Sequence, residues 1–273
     1  MVQLPDTTGW APEPKPRGWR RVWSLSRSGA SALLDFVYPA SCIACGQAMQ
    51  GRATLCEPCD RTLEQLMFQA SCIRCGGPRG EGGTAGPCPF CRGKGLTPLR
   101  GVVRMGLHES PLKELVHALK FRGRWNLSGR LASDLHGLFV AAECGFVPEV
   151  VVPVPLHAFR QFARGFNQAA LLARPMARHL GVPYAEAMVR IKPTASQRDM
   201  HSRVRRRRNV RHAFAVAKPA AVAGKRVLLV DDVMTTGATL QSAARALQYA
   251  GAAGVWAAVL AVADPKGRGF EVA

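Results

Sequence analysis

The chain has 273 residues, 48% of them hydrophobic, which is room for one α/β domain of moderate size plus a smaller module and excludes a wholly disordered chain. Lysine and arginine outnumber aspartate and glutamate by 37 to 18, a formal net charge of +19, which makes polyanions, nucleic acid among them, candidate partners, the alternative being a compositional bias in which Arg replaces Lys. No apolar run reaches the roughly 20 residues of a membrane-spanning helix, and 7% aromatic content argues against an extended base-stacking platform.

Residues 1–39 read as a basic N-terminal segment: a Pro-rich, polar, disordered arm, then an amphipathic helix from Val22 to Val37. Arg17-Gly18-Trp19-Arg20-Arg21 before a moderately apolar stretch is superficially like a secretion signal. Arg27 and Asp35 interrupt that stretch and no small-residue cleavage pattern follows, so a cytoplasmic location is expected.

Residues 40–93 are set by cysteines. Four Cys-x-x-Cys pairs, Cys42/Cys45, Cys56/Cys59, Cys72/Cys75 and Cys88/Cys91, are separated by 10, 12 and 12 residues. Each pair can place two thiolates on one tetrahedral Zn²⁺, and two pairs close a tetrathiolate site, so two structural zinc ions are implied. Cys42-Ile43-Ala44-Cys45-Gly46 repeats as Cys72-Ile73-Arg74-Cys75-Gly76, which favours pairing first with second and third with fourth; a cross-braced pairing is the alternative. Disulfides compete with zinc for these residues but need an oxidising compartment. Cys144 stands alone and reads as a packed thiol.

Residues 94–100 form a linker, and residues 101–265 change to an α/β periodicity. Gly101 to Leu107 is a strand; Ser110 caps a helix with Pro111 in its first turn, running to about Phe121. A helix from Asn126 to about Ala142 and a buried strand from Val150 to Val154 follow. The loop after that strand, Pro155 to Gln168, carries Arg160 and Arg164, residues suited to bidentate phosphate contacts, and leads to a helix ending near Leu180-Gly181. Val227 to Val230 is a buried parallel strand, with Asp231 and Asp232 where it leaves the sheet. Thr235, Thr236, Gly237, Ala238 and Thr239 make a loop of hydroxyls and open backbone, and a helix through Leu247 is stopped by Gly251. Residues 266–273 are a tail. Strand, loop and helix in this order put anion-binding N–H groups beyond a strand's carboxyl end. The two carboxylates suit ribose hydroxyls or, through water, a divalent cation. The chain has neither Gly-x-x-x-x-Gly-Lys-Ser/Thr nor Gly-x-Gly-x-x-Gly after a strand, which excludes a P-loop or dinucleotide fold.

The segment Val227 to Thr239 resembles the phosphoribosyl pyrophosphate (PRPP) motif of type I phosphoribosyltransferases. That resemblance implies that Asp231 and Asp232 hold the ribose hydroxyls, that Thr235 to Thr239 wrap the 5′-phosphate, and that Mg²⁺ accompanies PRPP. Val-Pro-Val-Pro-Leu-His at residues 152–157, Arg164-Gly165-Phe166-Asn167-Gln168 and Leu119-Lys120-Phe121-Arg122-Gly123 extend the likeness. Over about residues 40 to 265 the chain is similar to the ComF family of competence-related proteins. The resemblance implies an α/β fold with a parallel, phosphoribosyltransferase-like sheet flanked by helices and an N-terminal double zinc ribbon. It implies that Arg160, Arg164, Lys120, Gln197 and Asn209 serve the pyrophosphate or a loop that closes over it. Arg205-Arg206-Arg207-Arg208 departs from the family pattern of one isolated Arg before the Asn.

Two functions follow as expectations. One is phosphoribosyl transfer from Mg²⁺-PRPP to an acceptor, with no covalent nucleophile required. The other is a non-catalytic competence factor that binds single-stranded DNA or proteins of the uptake machinery and keeps the fold as a ligand-sensing scaffold.

Overall fold

A computed structural model describes residues 41–49, 53–79, 88, 90–92, 94–156, 162, 165–191 and 213–263. The N-terminal helix, Arg160, Arg164, Gln197, the Arg205–Arg208 run, Asn209 and the C-terminal tail lie outside the described residues. By backbone proximity the chain divides into residues 1–42 with 46–54, and residues 43–45 with 55–273; the sheet and its helices belong to the second unit.

In chain order the elements are α1 (Glu57–Phe68), β1 (Gly101–Leu107), α2 (Leu112–Phe121), α3 (Leu127–Ala141), β2 (Val150–Pro153), α4 (Gln168–Leu180), β3 (Met188–Arg190), β4 (Phe214–Val216), β5 (Arg226–Met234), α5 (Ala238–Tyr249) and β6 (Gly254–Val262), with one 3-10 turn, Pro219–Ala221, before β5. Among the described residues, four strands form a parallel sheet in the order β1-β6-β5-β2. Its strands are buried on both faces, as an all-parallel sheet requires: every residue of β1 and β6 is buried. On β5, Val227 and Leu229 join Leu240, Ala243, Ala244 and Leu247 of α5 in one apolar cluster. Leu228 and Val230, alternating with them, face the other side, where α4 lies against β2 and β5 and α3 against β1.

Three sequence expectations are corrected in detail. The strand beginning at Val150 ends at Pro153, since Val154 continues as coil, although its N–H still donates to Val230 O at 2.9 Å. The helix expected to be capped by Ser110 starts at Leu112 with Pro111 in the cap position and no side-chain cap bond. There Lys113 N–H already finds Glu109 O at 2.8 Å, and proline has no N–H to leave unpaired. Finally, β5 does not stop at Val230. β6 runs on beside it and pairs Asp231 with Val259, Val233 with Ala261 and Met234 with Val262, so both aspartates sit inside the strand. On the other flank β2 has ended opposite Val230, so from Asp231 onward β5 has a strand neighbour on one side only among the described residues.

That half-paired extension positions the site. The chain leaves β2 toward α4 on one face and leaves β5 toward α5 on the other, so the sheet's topological switch lies between β2 and β5 at their carboxyl ends, where open α/β sheets bind ligands. The connection from β2 to α4 carries Arg160 and Arg164, which lie outside the described residues. Asn167 fixes its base: its side-chain oxygen accepts from Ala169 N–H at 3.0 Å as the cap of α4, and its amide donates to Val154 O at 3.1 Å. β3 and β4 pair antiparallel and join the ends of the segment, residues 191–213, that carries Gln197 and Asn209.

Candidate functional site

The two aspartates differ because successive strand side chains point to opposite faces. Asp232 is 6% exposed, and its Oδ1 accepts from Lys120 Nζ, at the C-terminal turn of α2, at 3.0 Å. Its Oδ2 is buried and has no hydrogen-bond partner among the described residues, an unmet acceptor of the kind that is uncommon outside functional sites. Asp231 is half-buried, and its Oδ1 accepts from the Asp232 N–H at 2.8 Å. Burial, then the neighbouring Asp232 charge, pushes Asp231 up from the ordinary carboxylate range to about 7, against the fields of Lys120 and Arg190. Lys120 also bears on His108 at the end of β1, where burial, reinforced by Lys120 and Lys113, lowers the imidazole and favours its neutral form.

Beyond Met234 the loop turns through Gly237, whose φ of 74° is the left-handed conformation that glycine adopts without a side-chain penalty. Gly237 caps α5, with Gln241 N–H donating to Gly237 O at 2.9 Å and Ala238 N–H to Thr236 Oγ1 at 3.4 Å. Asp231, Thr235, Gly237, Ala238 and Thr239 line one small cup at this helix N-terminus, where aligned peptide dipoles and N–H groups favour an anion. Of the residues expected at the ligand site, Asp231, Thr235, Gly237, Ala238 and Thr239 thus share this cup, and the neighbouring Asp232 is paired with Lys120.

The cysteines resolve into two groups, Cys42/Cys45/Cys56/Cys59 and Cys72/Cys75/Cys88/Cys91, with the ligand atoms of each group within 4.8 Å of one another. Sequential pairing holds and cross-bracing does not. The sulfur separations, 3.7 Å for Cys45–Cys56, 3.9 Å for Cys72–Cys91 and 3.7 Å for Cys75–Cys88, match the roughly 3.8 Å between sulfurs that each stand about 2.3 Å from one tetrahedral zinc. They are far beyond disulfide bonding distance, and no disulfide is formed among the described residues. In the second group burial pushes the Cys75 and Cys88 thiols up, so a metal entering there displaces protons. The first and third knuckles turn the same way: Gly46 N–H donates to Cys42 O at 2.9 Å and Gly76 N–H to Cys72 O at 2.7 Å, with both glycines at positive φ.

Two features had little or no signal in local sequence pattern. Leu96 and Thr97 of the linker meet the Gly237 turn and the first turn of α5, Gln241 Nε2 donating to Thr97 O at 3.1 Å. Arg104, in the middle of β1, is 4% exposed with no hydrogen-bond partner for its three guanidinium nitrogens among the described residues. An arginine in an otherwise apolar strand was the one visible hint of the second.

A parallel sheet with an acidic strand end and a glycine-turned loop leading into a helix at its switch point, together with two tetrathiolate groups, defines a phosphoribosyltransferase-type domain with a double zinc ribbon. Sequence models of these two domains match residues 167–272 (phosphoribosyl transferase domain) and 33–93 (double zinc ribbon domain). The chain is 36% identical to the DNA utilization protein YhgH of Salmonella typhi over 205 residues, covering 74% of this chain and 87% of that one. It is 36% identical to competence protein F of Haemophilus influenzae over 155 residues, 55% of this chain and 67% of that one. With competence protein ComFC of Bacillus subtilis the identity is 29% over 203 residues, 73% of this chain and 80% of that one. The chain belongs to the ComF family of competence-related proteins. No described helix is long and apolar enough to cross a membrane.

Proposed function

We propose that this protein binds Mg²⁺-PRPP at the carboxyl end of β5 and transfers its phosphoribosyl group to an acceptor. The observation that carries the reading is the placement of Asp231 and Asp232 at the switch point, directly before the Gly237 turn and the N-terminus of α5. In this reading Asp232 Oδ2 and Asp231 accept from the ribose hydroxyls, and Thr235 to Thr239 donate to the 5′-phosphate. Arg160 and Arg164, on the loop whose base Asn167 fixes, take the pyrophosphate, and Gln197 and Asn209 belong to the segment that closes over it. Mg²⁺ enters as the PRPP complex and offsets charge on the leaving group. The C1–O bond to pyrophosphate breaks as the acceptor's nucleophilic atom bonds to C1, so the protein contributes positioning and charge neutralisation rather than a covalent intermediate. Thiolate metal sites fit a reducing compartment, and the cytoplasm is the proposed location.

Titration calorimetry with Mg²⁺-PRPP tests the binding step: the wild type is expected to bind, and Asp232→Asn to bind at least tenfold more weakly, the loss of about 1.4 kcal/mol. Equal binding by the variant defeats the assignment. Pyrophosphate release measured across bases, amines and nucleic acids then tests turnover.

A second reading rests on the net charge of +19 and on the competence and DNA-utilization names of the relatives. In it the protein binds single-stranded DNA or uptake proteins, with PRPP as a regulatory ligand. Affinity for single-stranded DNA that falls steeply with salt supports it; a flat salt response removes its electrostatic basis.

A further inference from the structure

The second zinc ribbon and the phosphate loop share one side chain. After Cys91 the chain turns tightly, Lys94 N–H donating to Cys91 O at 2.8 Å, and passes through Gly95 at φ 65° against Arg74. Leu96 then packs on the cluster of Cys72, Cys75 and Cys88 on one side. On its other side it covers Gly237: a Cβ built on that glycine would lie 2.8 Å from Leu96 Cδ1 and 3.1 Å from Cδ2. The next residue closes the link, since Thr97 O accepts from Gln241 Nε2, one turn into α5, at 3.1 Å. Leu99 N–H donates to Leu96 O at 2.9 Å, and Leu99 is buried in the sheet's own core, so this segment has little room to swing away.

The knuckle itself is anchored to the sheet. Ile73 O accepts from Val102 N–H at 2.9 Å, and a Cβ on Gly76 would meet Val102 at 3.2 Å, Val262 at 3.3 Å and Met234 Cε at 3.5 Å. The turn at Gly237, which presents the N–H groups of the phosphate cup, is therefore held on one side by its own helix and on the other by a leucine whose position depends on the fold of the ribbon. Interiors are close-packed and transmit such displacements rather than absorbing them.

We infer that Leu96 is a positioning residue for the phosphate cup, clamped by Thr97 and Gln241, and that zinc in the Cys72/Cys75/Cys88/Cys91 site sets the geometry of the loop Thr235 to Thr239. The ribbon is part of the phosphate-binding apparatus, and metal loss or thiol oxidation there lowers affinity for the 5′-phosphate end of a ligand without touching a residue that contacts it. The ligand half of this inference rests on the PRPP reading above; the coupling between ribbon and loop does not.

The test uses the full chain with zinc content measured throughout. Ribose 5-phosphate and pyrophosphate are titrated separately into wild type, Leu96→Ala, Gln241→Ala and the conservative Leu96→Met, and amide exchange is followed at residues 235–239. The expected result is that Leu96→Ala keeps its zinc, loses about tenfold in affinity for ribose 5-phosphate and exchanges faster across the loop. Gln241→Ala shifts the same way, Leu96→Met restores both readouts, and pyrophosphate affinity is unmoved in all variants. Chelating the zinc from wild type reproduces the faster loop exchange. Unchanged loop exchange in Leu96→Ala and Gln241→Ala, with zinc retained, overturns the coupling. A wild type that ignores ribose 5-phosphate while the exchange result holds overturns the PRPP reading and leaves the coupling standing.

Discussion

Lys120 Nζ and Asp232 Oδ1 stand 3.0 Å apart, with side chains only 18% and 9% exposed, so the more buried carboxylate of the pair is neutralised by a helix that lies outside the phosphoribosyl motif. The ammonium at the end of α2 also sees a favourable helix dipole, which helps to hold it there.

Lys120→Met strands a buried carboxylate and is expected to destabilise the fold by about 3–5 kcal/mol, whereas Lys120→Met with Asp232→Asn should recover most of that loss. Denaturant unfolding of the two single variants and the double variant reads the difference. A strictly additive double variant would show that the two groups do not interact.

Asp231 gives a pH dependence with a definite sign. Its pKa is raised on folding to about 7, so folding favours the protonated acid. The stability it contributes is complete below the unfolded carboxylate range and is lost as pH rises through about 7. Asp231→Asn should therefore be more stable than wild type above that value and should show a flatter melting temperature across the interval. An equally steep decline in the variant counts against the assignment.

The cysteine groups differ in burial, and so should the consequences of losing them. Wild type is expected to carry one zinc per tetrathiolate group. Cys75→Ser should lose the metal of its group and lower the melting temperature markedly, because that knuckle is bonded to β1 through Val102 and Ile73. Cys45→Ser, at an exposed ligand, should lose the other zinc with a smaller thermal shift. Metal analysis and scanning calorimetry on the same samples decide the matter; wild type purified under reducing conditions without zinc contradicts the ribbon assignment.

Arg104 predicts a gain. Burial lowers its guanidinium pKa to about 10, and replacing a buried charge that has no hydrogen-bond partner among the described residues by an apolar chain of similar length is worth about 1–4 kcal/mol where packing is kept. Arg104→Met should raise the unfolding midpoint. A clear loss of stability instead would reveal an anionic partner for this arginine.

Gly101 marks the close approach of the strands to the ribbon. A Cβ there would stand 2.5 Å from the Trp256 ring and 2.7 Å from Ile73 O, so Gly101→Ala should cost about 1–3 kcal/mol through displaced packing. A near-neutral result would mean that Trp256 and the knuckle yield together.

Much of the chemistry was legible locally. The Cys-x-x-Cys spacing announced tetrathiolate sites because a knuckle is built by neighbouring residues, and the run from Val227 to Thr239 announced strand, acids, glycine turn and helix for the same reason. Less legible was how far β5 continues, because Asp231 and Asp232 remain strand residues only through the β6 ladder, a pairing decided by a different part of the chain. Helix α1 is not announced by the spacing either, because its first turn holds Cys59 and reads as part of a zinc knuckle.

By itself, then, the sequence determined the donor types: sulfur in fours, carboxylates in a pair, hydroxyls and backbone N–H groups around one glycine. Each is a short-range property of spacing and side-chain chemistry. Only the tertiary structure decided which groups share a site: Lys120 with Asp232, and Leu96 with Gly237, residues more than a hundred positions apart in each case. The physical reason is that such contacts depend on strand order and on which face each crossover covers, and the sheet order β1-β6-β5-β2 is fixed by the burial of the whole apolar set at once rather than by any local pattern.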